Sequence, residues 1–245
     1  MLNTIKFIAA CALCISADAV FSAENACTLQ SGKNLLPVLE LYTSEGCSSC
    51  PPADQWLSQL KGQPAVVQAF HVGYWDQLGW VDRFATPAHT ARQRQIAAWN
   101  QQGSIYTPQA VLNGKDWRNW GGKLTAPPAE PGLAKISLRQ LAPDQFEALV
   151  TPLAGAPSRW SAYWTVTEHG HSSKVQAGEN AGEFLKHDFV VRQYVVAGVY
   201  PSDSTAAQKL VFHSIAGTPG HVRQLNLVVF DPQTGKTLQA ITAPC

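Results

Sequence analysis

Two cysteines, Cys47 and Cys50, are separated by two serines and lie between a predicted strand and a predicted helix. The first turn of a helix has unpaired backbone N–H groups and the positive end of the helix dipole, and both stabilise a thiolate. Cys47 would then attack the disulfide of a partner protein, and Cys50 would resolve the mixed disulfide. The chemistry predicted for this pair is therefore thiol–disulfide exchange.

This hypothesis requires that another protein can reach the Cys47 sulfur. Pro108, preceded by Thr107, comes just before the strand predicted at residues 110–112 and is a candidate to hold a substrate chain. The competing hypothesis is a binding module in which Cys47 and Cys50 form a permanent structural disulfide.

Four residues elsewhere in the chain are candidates for a substrate-binding cleft beside the pair. His71 ends a predicted strand, at the edge where ligands collect in α/β sheets. An imidazolium there would favour the Cys47 thiolate, and Asp76 would orient the ring or shuttle a proton. Trp75 and Tyr106 would line the same cleft. The alternative is that the aromatic residues are packing groups and that Asp76 caps a turn.

The elements that must position these residues come from a segment in which strands and helices alternate. Such alternation predicts a βαβ core with parallel strands. The predicted strands cover residues 38–42, 65–70 and 110–112, and the predicted helices cover residues 53–60 and 90–100.

The chain changes in character after this segment. A stretch rich in proline and glycine at residues 126–132 is typical of a linker. Short segments that alternate apolar and polar residues follow, and they predict an all-β sandwich. We therefore predict an α/β domain over residues 24–128 and a β-sandwich-like domain over residues 129–245.

The first 23 residues have the features of an export signal. Lys6 precedes an apolar run, Phe7–Ile15, that is too short to cross a bilayer. Export would place the protein in the periplasm or outside the cell. An even number of cysteines then remains, which favours disulfides, and we predict a second bond between Cys27 and Cys245 near the two chain ends.

Composition limits the classes of partner. The net charge is +1 and only 14% of the 245 residues are charged, so no basic surface for nucleic acid is predicted. No later apolar run is long enough for a membrane span. Protein thiols or disulfides are the predicted partners, with no cofactor. A zinc site would need further ligands at a suitable spacing, and copper handling through Cys47, Cys50 and His71 is a weaker alternative.

Four motifs stand out in the sequence: residues 41–54 (LYTSEGCSSCPPAD), 71–80 (HVGYWDQLGW), 106–109 (YTPQ) and 178–182 (GENAG), the last with Leu185, His187 and residues 190–192. With these motifs the sequence resembles an exported, thioredoxin-like bacterial family that is classified as a domain of unknown function. The resemblance implies a thioredoxin-like N-terminal domain, with Pro108 as a cis-proline opposite the pair and Thr107 holding substrate backbone. It implies no particular substrate.

Overall fold

The computed structural model describes residues 27–122, 130–203 and 206–244. Within these ranges the chain forms fourteen strands, two α-helices and one 3-10 helix. In chain order they are β1 (Thr28–Gln30), β2 (Val38–Thr43), α1 (Pro51–Ser58), β3 (Val66–His71), the 3-10 helix (Gly73–Leu78), α2 (Pro87–Trp99), β4 (Gln109–Leu112), β5 (Lys115–Asp116), β6 (Ala134–Ala142), β7 (Gln145–Pro152), β8 (Arg159–Glu168), β9 (His171–Lys174), β10 (Phe184–His187), β11 (Val190–Pro201), β12 (Gln208–His213), β13 (Arg223–Phe230) and β14 (Thr237–Ala243). The predicted export signal, residues 1–23, lies outside the described residues.

Eight of the strands form one mixed sheet, in the order β14-β13-β8-β11-β3-β2-β4-β5. β2 and β3 are parallel, with Thr43 paired to His71, and β4 runs antiparallel to β2, with Gln109 opposite Tyr42. β11 comes from much later in the chain. It pairs with β3 in parallel at Val190 and with β8 in antiparallel fashion along most of its length. A four-stranded sheet, β1-β6-β7-β12, and a β9–β10 hairpin complete the described strands.

The fold class predicted from the sequence is wrong. The protein is β-rich, and not an α/β thioredoxin-like domain followed by an all-β sandwich-like domain. The reason is that β11 hydrogen-bonds to the second edge of β3, so the early strands build part of a larger sheet. Local periodicity identifies strands but carries no information on which distant strand will pair with them. The division of the chain at residue 128 stays a prediction, and that residue lies outside the described ranges.

Both faces of the central strands are buried. Leu41 of β2 packs in the cluster beneath α1, whereas Tyr42 packs with Ile96 of α2. Successive strand residues point to opposite faces, so β2 and β3 are covered by one helix on each side. At the other end of the sheet, Trp164 of β8 stacks on Phe212 of β12, with ring centroids 5.0 Å apart. This contact joins the two large sheets.

A buried ion pair fixes α2 to the middle of the eight-stranded sheet. The Arg92 Nη2 atom lies 2.6 Å from Glu40 Oε1, and both side chains are buried. The hydroxyl groups of Tyr42 and Tyr163 donate to the same carboxylate, at 2.6 and 3.0 Å. Removal of one charged partner would leave the other charge buried without compensation.

We expect Arg92→Ala to lower the free energy of unfolding by about 3–5 kcal/mol, the usual cost of stranding a buried charge. Urea denaturation of the purified chain measures this loss. Arg94→Ala is the matched control, because Arg94 is exposed on the same helix and its loss should cost no more than about 0.5 kcal/mol. Equal losses in the two variants would contradict a stabilising role for the ion pair.

Candidate functional site

The cysteine pair lies where the chain leaves β2 and enters α1. Cys47 and Cys50 form a disulfide, with Cα atoms 5.4 Å apart. α1 begins directly after Cys50, whose carbonyl oxygen accepts hydrogen bonds from the backbone N–H groups of Ala53 and Asp54. The disulfide is therefore held at the N-terminal end of a helix, in the position predicted from the sequence.

Access to the disulfide differs from the expectation. Cys47 is 1% exposed and Cys50 is 0% exposed, although Ser48 and Ser49 between them are exposed. The expectation that another protein can reach the Cys47 sulfur is therefore wrong for this conformation. Contacts from a distant part of the chain hold the motif in this buried state.

These contacts come from residues 178–182, between β9 and β10, which we call the clasp loop. Glu179 accepts hydrogen bonds from the backbone N–H and the hydroxyl of Ser48, at 2.9 and 2.8 Å. The Asn180 side-chain amide donates to the carbonyl oxygens of Glu45 and Cys47, both at 2.9 Å. The clasp loop therefore holds the backbone of the motif on both sides of Cys47.

The sequence singled out residues 178–182 as a motif, but it did not indicate that this loop contacts the cysteine motif. Arg192, which belongs to the same group of motifs, lies with its Nε atom 3.3 Å from Glu168 Oε2. Gly178 and Gly182 have φ angles of 75° and 93°, in the region that favours glycine, so the tight turn itself was predictable. The hydrogen bonds to Ser48 span 131 residues, and no local pattern identifies such a contact.

A second set of contacts links the motif to the Thr107–Pro108 peptide, which is cis. Trp75 Nε1 donates a hydrogen bond to Thr107 Oγ1 at 2.8 Å. A Cβ atom placed on Gly46 would lie 2.9 Å from the Trp75 Cβ, closer than side chains approach one another, so a glycine is needed there. Trp75 thus packs against the segment before Cys47 and also contacts the residue before Pro108. The substrate-holding roles of Thr107 and Pro108 stay predictions.

The other predicted substrate-binding residues have intramolecular partners. Tyr106 donates from its hydroxyl to Asp116 Oδ1 at 2.7 Å, and burial together with this bond raises the pKa of Tyr106 to about 12. Asp76 Oδ1 accepts a hydrogen bond from the backbone N–H of Asp82 at 3.2 Å. Both side chains are partly exposed, and their contacts with a substrate stay predictions.

His71 is completely buried and does not face an open cleft. Its Nδ1 atom lies 2.7 Å from Asp82 Oδ2, so Asp82 orients the ring rather than Asp76. Burial alone would raise the pKa of Asp82, but His71 and the backbone N–H groups of Glu45 and Phe84 together lower that pKa to about 2. Burial likewise opposes the imidazolium, but Asp82, with smaller contributions from Asp54 and Glu45, raises the pKa of His71 above its usual 6.5. Sequence reasoning missed Asp82, whose spacing from His71 carries no recognised signal.

The His71–Asp82 ion pair predicts how the stability of the fold depends on pH. Asp82 stabilises the fold above its unfolded pKa of 3.8, and this contribution is lost as the pH falls towards 2. The His71 contribution is complete below pH 6.5 and is lost as the pH rises through the raised pKa. We therefore expect Asp82→Asn to cost about 2 kcal/mol between about pH 4 and 6.5, and less on either side. Urea denaturation at pH 3, 5.5 and 9 checks this, with the exposed Asp203→Asn as the control.

A cluster of buried acid and base groups lies next to the disulfide motif. His187 of β10 places Nε2 3.1 Å from Glu45 Oε1 and Nδ1 3.9 Å from Asp54 Oδ2. Trp80 Nε1 donates to Glu45 at 2.7 Å, and Thr43 Oγ1 donates to Asp54 at 3.0 Å. One histidine from the second half of the chain therefore faces two carboxyl groups, one on each side of the disulfide in sequence. The motifs contained these three residues, but nothing in their spacing predicted the contact.

Three further expectations concern metal binding, a membrane span and a second disulfide. Across residues 27–122, 130–203 and 206–244, no group of three or more His, Cys, Asp or Glu side chains is arranged to hold a metal ion. In the same ranges no helix is long and apolar enough to cross a membrane. The Cys27–Cys245 bond stays a prediction, because Cys245 lies outside the described residues.

Fold and site together define a β-rich protein with a clasped Cys-x-x-Cys disulfide beside a buried histidine–carboxylate cluster. The chain belongs to the family described as "Protein of unknown function (DUF1223)", whose model matches residues 38–230. That match includes both the cysteine motif and the clasp loop. It confirms the resemblance to a family of unknown function that the motifs indicated.

Solved structures share the fold at low sequence identity. Protein AGR_C_4864 from Agrobacterium tumefaciens is 18% identical, with a TM-score of 0.63, and the match covers 86% of this chain and 95% of that one. HBP35 of Porphyromonas gingivalis is 12% identical, with a TM-score of 0.57, over 87% of this chain and 76% of that one. No curated protein matches the chain. Identities this low show similarity of fold alone.

Proposed function

We propose that this protein exchanges disulfides with protein thiols through Cys47 and Cys50, after the clasp loop has moved away from the motif. The observation that carries the proposal is the Cys47–Cys50 disulfide at the N-terminal end of α1. A thiolate at that end is stabilised by the positive end of the helix dipole. The exposed Ser48 and Ser49 mark the surface at which a partner would approach.

Each cysteine has a separate role in this proposal. A partner thiolate attacks the Cys47 sulfur, the Cys47–Cys50 bond breaks, and Cys50 leaves with the electron pair. A second thiol of the partner then attacks the partner sulfur of the mixed disulfide and releases Cys47, so the partner is oxidised and this protein is reduced. The reverse sequence oxidises this protein. Thr107 and Pro108, joined to the motif through Trp75, would hold the partner chain.

The proposed compartment is the periplasm or the exterior of the cell. The support for it is the export-like character of residues 1–23, and a disulfide persists more readily in an oxidising environment. Neither a cofactor nor a metal is needed for the exchange, since both half-reactions use only sulfur and protons.

Equilibration with glutathione buffers tests the proposal. Alkylation and intact mass give the fraction of reduced Cys47–Cys50 at each buffer ratio and hence the reduction potential. A potential above about −300 mV, together with turnover of insulin disulfides by the reduced protein, is the expected result. A potential below that value with no insulin turnover would contradict exchange.

Burial of both cysteines favours one second candidate, a binding module in which the disulfide is structural. In that case the disulfide only fixes the turn between β2 and α1. The same titration separates the two candidates, because a structural disulfide resists reduction by glutathione.

A further inference from the structure

A cavity of about 290 Å³ lies between α1 and β10, and its lining does not include the exposed Ser48 and Ser49. Asp54 and His187 line it, and so do Gln55 and Lys186. His187 is 2% exposed, and among the described residues its Nδ1 atom has no hydrogen-bond partner. The cavity therefore borders a buried histidine whose Nδ1 atom makes no hydrogen bond within the described residues and lies near the Asp54 carboxyl.

Asp54 connects this cavity to the disulfide through the geometry of α1. Its backbone N–H donates to the Cys50 carbonyl oxygen at 3.1 Å, so the two residues are one helical turn apart. Residues four apart on a helix share a face, which places the Asp54 carboxyl on the side of α1 that carries the Cys50 sulfur. The His187 Nδ1 atom lies 3.9 Å from the Asp54 Oδ2 atom, on the side of the cavity.

We propose that Asp54 and His187 form the proton route of the Cys47–Cys50 pair, with protons exchanging through the α1–β10 cavity. The inference rests on the proposed exchange function and adds to it a route by which protons reach and leave the disulfide. When a reductant thiolate attacks Cys47 and the disulfide breaks, Cys50 leaves with the electron pair and takes the proton of the Asp54 carboxyl. Asp54 regains a proton from cavity water through His187. Oxidation runs the same transfers backwards.

The ionisation of Asp54 fits this role. Burial raises the pKa of Asp54 above its usual value, and the neighbouring His187 and His71 oppose that effect only in part. The carboxyl therefore holds a proton at a higher pH than an exposed aspartate does. The charged groups around it are His187 and Lys186 on β10, His71 on β3, and Asp82 and Glu45 in the adjoining loops.

The test is the rate at which dithiothreitol reduces the full chain, followed by acid quench, alkylation and intact mass from pH 5 to 9. The wild-type rate is divided by the variant rate at each pH, which cancels the ionisation of the reductant. For Asp54→Asn we expect a ratio that is largest at the acid end of this range and reaches on the order of a hundredfold where Asp54 is protonated, the lower end of what a positioned acid contributes. The ratio should fall towards one as the pH rises past the pKa of Asp54.

His187→Gln supplies the second measurement if Asp54→Asn fails to fold. Glutamine can still donate to Glu45 but cannot pass a proton, so a smaller ratio with the same pH dependence is expected. The control is Glu183→Gln, which removes an exposed carboxyl beside β10 and should give a ratio of one at every pH. A ratio of one for both site variants would overturn the proton route while leaving exchange intact. A wild-type disulfide that dithiothreitol reduces but that never exchanges with protein thiols would instead overturn the proposed function.

Discussion

Cys47→Ser is expected to abolish exchange with protein thiols, while Cys50→Ala is expected to accumulate as a mixed disulfide. The serine variant should lose more than about a thousandfold in rate, because the attacking sulfur is absent. The alanine variant keeps that sulfur but lacks the group that releases the partner. Incubation with oxidised glutathione, followed by intact mass, reports the adduct on each variant.

The assignment of the two roles depends on the difference between these variants. Equal glutathione adducts on the two would contradict the distinct role of Cys47 at the helix end. If neither variant forms an adduct in native buffer, and both do so in urea, the remaining cysteine is permanently shielded. That outcome would support the binding module with a structural disulfide.

Asn180→Ala is expected to speed the reduction of the disulfide by dithiothreitol by about 30-fold. The variant removes two hydrogen bonds from the clasp loop to the Glu45 and Cys47 carbonyls. Each bond contributes about 1 kcal/mol, so the open state should gain about 2 kcal/mol relative to the closed one. Reduction in native buffer proceeds through that open state, because both cysteines are buried in the closed one.

Glu183→Ala is the matched control for this prediction. Glu183 is exposed at the end of the same hairpin, and its backbone N–H bond to the Asn180 carbonyl does not depend on the side chain. Its reduction rate should equal that of the wild type. If Asn180→Ala also behaves like the wild type while its thermal midpoint is unchanged, the clasp loop does not control access to Cys47.

Local patterns in the sequence were sufficient to predict most elements of the first half. The strand predicted at residues 38–42 is confirmed as Val38–Thr43, and the helix predicted at 90–100 is confirmed as Pro87–Trp99. The Cys47–Cys50 bond also follows from the motif and the compartment that the sequence indicates. These features are determined by residues that are close together in the sequence, so local patterns are sufficient to predict them.

Features that depend on contacts between segments far apart in the sequence could not be predicted from local patterns. The edge of β3 that receives β11 looks, in sequence, like any buried strand, so the α/β prediction missed the shared sheet. The hydrogen bonds that hold the Cys47 segment come from Glu179 and Asn180, and the cluster beside it includes His187. Such contacts arise only when the tertiary fold brings remote segments together, and no periodicity encodes them.

The separation between Ser48 and Glu179, 131 residues, also has a consequence for biosynthesis. A chain made from its N-terminus presents both cysteines long before the clasp loop has left the ribosome. During that interval nothing from residue 178 onward can shield the two thiols from oxidants. The two cysteines can therefore pair before the clasp loop has been synthesised, whereas the hydrogen bonds from Glu179 and Asn180 can form only afterwards.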